Sequence, residues 1–173
     1  MVTHRADSRF CSSACRQRAY RRRKRAAELP RELTAKPRWV RWELTLRGGR
    51  LTKRPITAWG ASASSTDPST WVSFGEASAA EVGQGVGFVL NGDGLACYDL
   101  DHVLTGGRLH PAAARFLAEH EYFYVEVSPS GDGLHAWTHA PAQRGWRRVI
   151  DGINVEFYST GRFMTVTGKR FEV

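Results

Sequence analysis

The run Leu95-Ala96-Cys97-Tyr98-Asp99-Leu100-Asp101-His102 constrains the fold of this chain more than any other stretch. It has the composition of a short strand that ends in two acids one residue apart. Side chains alternate between the two faces of a strand, so Asp99 and Asp101 point the same way. Two neighbouring carboxylates repel one another unless a proton or a cation lies between them. Mg²⁺ and Mn²⁺ take carboxylate and water oxygens and are the natural cations for such a pair. An acidic turn after a buried strand would read the same way, so the choice rests on what accompanies the pair.

Short strand-like runs and turns alternate on either side of it. Residues 38–44 and 50–56 flank Gly48-Gly49 and predict a hairpin. Asp67 or Ser69 can cap a helix that runs through Trp71, Phe74 and Ala77. Gly83, Gly85 and Gly87 lead into Phe88-Val89-Leu90 as the start of a strand and lack the spacing of a phosphate loop. Asn91-Gly92-Asp93-Gly94 then predicts a hairpin into the acidic strand. Pro111 opens a helix over residues 111–121. Residues 122–127 and 134–139 are strands joined by Ser128-Pro129-Ser130-Gly131-Asp132-Gly133. Residues 141–148 form a basic loop carrying Trp146, and residues 153–158 and 162–167 a last hairpin turning at Ser159-Thr160-Gly161. Hairpins interrupted by two helices predict an α+β fold with an antiparallel or mixed sheet.

Charge divides the chain. Residues 1–41 hold 13 Lys/Arg against 3 Asp/Glu, whereas residues 42–173 hold 12 against 14. A basic block on a near-neutral body points to a polyanion, nucleic acid first. The division expected is a basic arm with a Cys segment at 1–35, ending in a Pro-punctuated linker over 29–37, and one domain at 36–173. Within the arm, residues 17–25 are expected to be helical, ahead of Pro30. Cys11 and Cys15 supply two of the four ligands of a tetrahedral zinc site, with His4 as a candidate third. The wording around them is similar to the second half of small zinc-binding modules in actinobacterial proteins, whose first Cys pair is missing here. The odd count of three cysteines does not suggest a disulfide framework. No apolar run reaches the ~18 residues of a membrane span and no signal peptide opens the chain, so a cytoplasmic, nucleoid-associated protein without membrane partners is expected.

Three further polar features join the Asp pair. Glycines and hydroxyls in the loop Ser128, Ser130, Gly131, Gly133 can turn donors toward an anion, and His135 follows just inside the next strand. Glu156, between Val155 and Phe157, would face the metal side with Asn154 and Tyr158 if its neighbours face the core. A third acid there would complete a site for two divalent ions. Arg162 and Lys53 are candidate holders of a triphosphate.

The joint order of Trp-Val-x-Trp, Lys-x-Pro-Ile, Gly-Val-Gly-Phe-Val-Leu, Tyr-Asp-Leu-Asp-His, Glu-Val-Ser-Pro-Ser-Gly-x-Gly-Leu-His and Val-Glu-Phe-Tyr…Arg-Phe-x-Thr-Val-Thr-Gly is more specific than any single motif. Over residues 38–169 it resembles the primase-polymerase domain of phages, plasmids and integrated elements, in the archaeo-eukaryotic primase superfamily. The resemblance implies an RRM-like catalytic sheet with flanking helices beside a smaller α/β part, preceded here by the basic helix. It implies DNA-directed nucleotidyl transfer with Mg²⁺ or Mn²⁺ in replication of a mobile element, with Asp99, Asp101 and Glu156 as metal ligands. His135 and Ser130 would be the nucleotide-binding pair. Implied partners are a DNA template and primer, dNTP or NTP, and a replicative helicase. Family members usually continue beyond the Thr-Val-Thr-Gly stretch, so truncation at the C-terminus is a further expectation. The alternatives are a non-catalytic DNA-binding replication protein of the same fold, and another Asp-x-Asp enzyme such as a nuclease or nucleotide-sugar transferase.

Overall fold

The computed structural model describes residues 12–17, 20 and 29–173. Residues 13–17, with Cys15, are helical. His4, Cys11 and residues 21–25 lie outside the described residues, and with them the zinc expectation and most of the basic-helix expectation.

In chain order the elements are α1 (Arg31–Thr34), β1 (Trp39–Arg47), β2 (Arg50–Ile56), a 3-10 turn (Pro68–Thr70), α2 (Phe74–Ala79), β3 (Gly85–Asn91), β4 (Leu95–Asp101), β5 (Leu104–Thr105), β6 (Arg108–Leu109), α3 (Pro111–Glu119), β7 (Tyr124–Val127), β8 (Leu134–His139), β9 (Trp146–Ile150), β10 (Ile153–Tyr158) and β11 (Thr160–Val166). The strands form a four-stranded sheet, β11-β3-β1-β2, a five-stranded sheet, β7-β8-β4-β10-β9, and the small pair β5-β6. The pairings within them are antiparallel, which makes an α+β fold with few helices.

Alternation explains how the layers stack. On β4, Ala96, Tyr98 and Leu100 face one way and Leu95, Cys97, Asp99 and Asp101 the other. Leu100 joins a core with Phe116 and Leu117 of α3, Val125, Leu134 and Val155, so α3 covers that face. Leu95 and Cys97 join a second core with Trp137, Phe88, Trp39 and Met164, so the four-stranded sheet covers the other face. Phe88 is the keystone there, with ring edges set against Trp39 at 5.2 Å and Trp137 at 5.8 Å. The helix α3 links β4 to β7, with β8 between them and antiparallel to both. This is a split β-α-β unit.

Two expected hairpins are instead crossings between sheets. β3 has β1 and β11 on its two edges, and β4 has β8 and β10, so β3 and β4 never pair. The same holds for β10 and β11. Both crossings lie together: the Gly92 amide donates to the Ser159 carbonyl, and Thr160 pairs with Asn91. Asp93 in the first crossing is held by Lys36 at 2.6 Å and Arg38 at 2.8 Å. Asn-Gly is a local signal for reversal, and it cannot register that both edges of the strand are already taken.

Other departures are local. Asp67 caps only the 3-10 turn, and Ser73 starts α2 with a capping box to Glu76. Between them Val72 stays extended because it bridges Trp39. The expected linker packs, since Leu33 is fully buried and Trp39 donates to its carbonyl. The second half of the expected basic loop is β9, joined to β10 by Asp151 and Gly152, whose positive φ values of 48° and 84° suit a tight reversal.

Gly133 is fixed by packing. A Cβ there would lie 2.8 Å from the Leu100 carbonyl oxygen and 3.0 Å from Ser128 Oγ, pressing the end of β8 off β4. Gly133→Ala is expected to cost roughly 1–3 kcal/mol in a thermal or urea melt. An unchanged melt would show that the contact relaxes freely.

Candidate functional site

Strand register assembles the site. Asp99 stands opposite His135 on β8 and opposite Glu156 on β10. His135 in turn stands opposite Glu126 on β7, and Glu156 opposite Arg147 on β9. One row of charged side chains, Glu126–His135–Asp99–Glu156–Arg147, therefore crosses the whole five-stranded sheet on the face turned to the other sheet. Directly opposed residues have Cβ atoms about 4.5–5.5 Å apart, so each member can touch the next. The neighbouring row, Tyr124–Trp137–Cys97, belongs to the core between the sheets. The charged row begins where that core stops.

Beyond the core, Asp99 and His135 face Lys53 of β2 and Arg162 and Thr165 of β11 across a cleft of ≈ 410 Å³. A second depression of ≈ 300 Å³ is lined by Asp101, Asn154, Glu156 and Arg147. The structure thus brings together Asp99, His135, Lys53 and Arg162, with Asp101 and Glu156 alongside. Three acids on one face perturb one another and the cations opposite. Burial, then the charges of Asp99 and Glu156, push the Asp101 carboxyl above its usual range. Burial lowers the Lys53 ammonium, and the attraction of Asp99 and Asp101 only partly offsets this. Burial would also lower the His135 imidazole, but the bond to Glu126 and the charge of Asp99 outweigh it and the net shift is upward.

The distances define how each group is engaged. His135 Nε2 lies 3.6 Å from Asp99 Oδ1, and its Nδ1 lies 3.4 Å from Glu126 Oε1. Glu156 is occupied on both oxygens: Arg147 Nε approaches Oε1 at 2.7 Å, and the Tyr158 phenol donates to Oε2 at 2.6 Å. The Arg162 guanidinium lies 4.6 Å over the Tyr158 ring. Among the described residues, no three His, Cys, Asp or Glu side chains converge as a ready metal cluster. The donor set nevertheless suits a hard cation, because Asp99, Asp101 and Glu156 offer only oxygens and lie together on one face of the sheet. Arg147 and Tyr158 already draw on both Glu156 oxygens, so Arg147 would compete with an ion shared among the three acids.

The Ser/Gly loop lies at the entrance to β8, beside Leu100 and Asp101. Its donors are partly used internally: the Gly131 amide bonds to the Ser128 carbonyl, and the Ser128 amide to the Gly133 carbonyl. Ser128 Oγ and Ser130 Oγ bond each other at 2.8 Å. Asp132 pairs with His102 at the loop's outer side.

Two members of the charged row carry no sequence-based role. Glu126 opens the motif that ends at His135, but it is an isolated acid between Val125 and Val127, and its place opposite His135 is what gives it a role. Arg147 falls in what reads as a loop; the alternation Trp146, Arg148, Ile150 was the available sign of a strand.

No protein-family model matches the chain. A DNA primase-polymerase of Nitratiruptor phage NrS-1 is 37% identical to it over 155 residues, which cover 84% of this chain and 21% of that protein. The acidic strand, the facing His and the order of motifs thus occur in a chain that is homologous to a phage DNA primase-polymerase and spans about a fifth of its relative's length.

Proposed function

We propose that residues 36–173 form the nucleotidyl-transfer unit of a DNA primase-polymerase of a mobile element, with residues 1–35 as a basic arm for DNA. The observation that carries this reading is the cleft in which Asp99 and His135 of one sheet meet Lys53 and Arg162 of the other. The homology to a phage primase-polymerase supports it. So does the strand order β10-β4-β8-β7 with α3 between β4 and β7, which is that of an RRM-like sheet. In this chain β9 stands where such a sheet has its second helix.

In this reading Asp99, Asp101 and Glu156 hold two Mg²⁺ or Mn²⁺ ions, which when bound make the 3′-hydroxyl a better nucleophile and neutralise the leaving pyrophosphate. His135 presents Nε2 to a phosphate oxygen of the incoming dNTP or NTP. Lys53 and Arg162, on the opposite wall, offset the triphosphate charge. Ser128, Ser130, Gly131 and Gly133, in the loop that leads into β8, are further nucleotide-binding residues in this reading. Template and primer follow the basic arm, and a replicative helicase is the expected partner in replication. No helix among the described residues is long and apolar enough to cross a membrane, and a nucleoid-associated location fits DNA as substrate.

The test is a 5′-labelled primer annealed to a longer template, with dNTPs and Mn²⁺. Longer products support polymerisation, and shorter ones indicate a nuclease. Salt-sensitive binding that ignores Mn²⁺ and dNTP, with no change in primer length, would identify a DNA-binding protein that keeps only the fold.

Arg147 supplies an independent check. It acts as a built-in cation on Glu156, so Arg147→Ala is expected to tighten Mn²⁺ binding up to about fivefold in calorimetry, the worth of one exposed ion pair. Weaker Mn²⁺ binding by that variant would show that Arg147 does not compete for the site.

A further inference from the structure

Glu126 is a fully buried carboxylate in the middle of β7. Such a group is costly unless hydrogen bonds replace its lost water. Two amides converge on Oε2, Thr167 N–H at 3.0 Å and Gly168 N–H at 2.8 Å, and the Thr167 hydroxyl oxygen lies 3.1 Å away with its proton shared with the Val127 carbonyl at 2.7 Å. They hold the carboxylate in one orientation and leave Oε1 for His135 Nδ1. The His135 side chain is itself only 3% exposed, with its other nitrogen turned to Asp99 at the cleft.

A staple for the segment after β11 is the plainer role for Glu126. That segment already has its own bonds to β7, however: the Val127 amide donates to the Lys169 carbonyl, the Phe171 amide to the Val125 carbonyl and the Thr167 hydroxyl to the Val127 carbonyl. Holding the segment therefore does not require a carboxylate at 126. A carboxylate behind a histidine does have a specific effect, because it fixes the ring plane and decides which nitrogen faces the ligand.

We infer that Glu126 is a positioning residue for nucleotide binding: it holds the His135 ring so that Nε2 faces the cleft and the triphosphate. This rests on the proposal that His135 contacts the triphosphate. The carboxylate and the C-terminal segment form one rigid support behind the histidine, on the side away from the substrate.

The test is a double-mutant cycle on the full chain, reading dATP affinity in the presence of Mn²⁺. His135→Ala and Glu126→Gln are each expected to weaken dATP binding by roughly tenfold or more. Glu126→Gln introduced into the His135→Ala background is expected to add nothing, because its effect passes through the ring. Glu126→Asp, which keeps the charge but retracts it by one methylene, gives the same cycle if the Gln variant folds poorly. Additive losses, or Glu126 variants that bind dATP like the parent, would overturn the positioning role. Unchanged dATP affinity in His135→Ala would instead overturn the assignment of His135 to the triphosphate.

Discussion

Asp99→Ala is expected to lower Mn²⁺-dependent nucleotide incorporation by roughly a thousandfold or more, while the protein stays folded. The size follows from what the carboxylate is proposed to hold. Metal stabilisation of charge at the reacting phosphorus is worth several kcal/mol, and each ~1.4 kcal/mol is a factor of ten in rate. The fold should tolerate the change, because Asp99 is not a hub of the core. Its side chain is 19% exposed, and its ion-pair partner is His135 at 3.6 Å. Removing it also takes away one of the charges that, after burial, raise the Asp101 carboxyl. Primer extension on gels, alongside a thermal melt in EDTA, separates the two effects. Full activity in a folded Asp99→Ala protein would remove the acid pair from the chemistry.

Phe88→Ala carries the largest expected loss of stability, about 3–5 kcal/mol. At roughly 2–4 °C per kcal/mol for a chain of this size, Tm should fall by roughly 6–20 °C. Phe88 is fully buried between Trp39 and Trp137, so its removal empties the contact between the two sheets. The consequence reaches function. Lys53 and Arg162 belong to one sheet and Asp99 and His135 to the other, so the cleft exists only while that contact holds. Nucleotide affinity should therefore fall below Tm as well, and Phe88→Leu, which refills most of the space, should recover both. A small shift in Tm on Phe88→Ala would mean that the sheets are held together elsewhere.

Period-two alternation made several features legible before any coordinates. It placed Asp99 and Asp101 on one face and Glu156 with Asn154 and Tyr158 on the other side of β10 from Val155 and Phe157. Register then made Asp99 and Glu156 direct neighbours. What the alternation could not carry was the division of strands between sheets. Asn91-Gly92 and Ser159-Thr160-Gly161 are good turn sequences, yet at both places the chain passes from one sheet to the other. The reason is global: β3 finds better partners in β1 and β11 than in the strand next in sequence. Glu126 and Arg147 escaped for a related reason. Each acquires meaning only from the residue opposite it, His135 in one case and Glu156 in the other. The zinc expectation at Cys11 and Cys15 also needs Cys11 and His4, which lie outside the described residues.

The most direct measurement is a crystal structure of the full chain with Mn²⁺ and a non-hydrolysable dNTP, with anomalous scattering used to find the metal. Manganese is expected against Asp99 and Asp101, with Glu156 turned from Arg147 toward the ion, and the triphosphate against His135 and Lys53. Manganese bound away from these acids, or a triphosphate seated without His135 and Lys53, would contradict it.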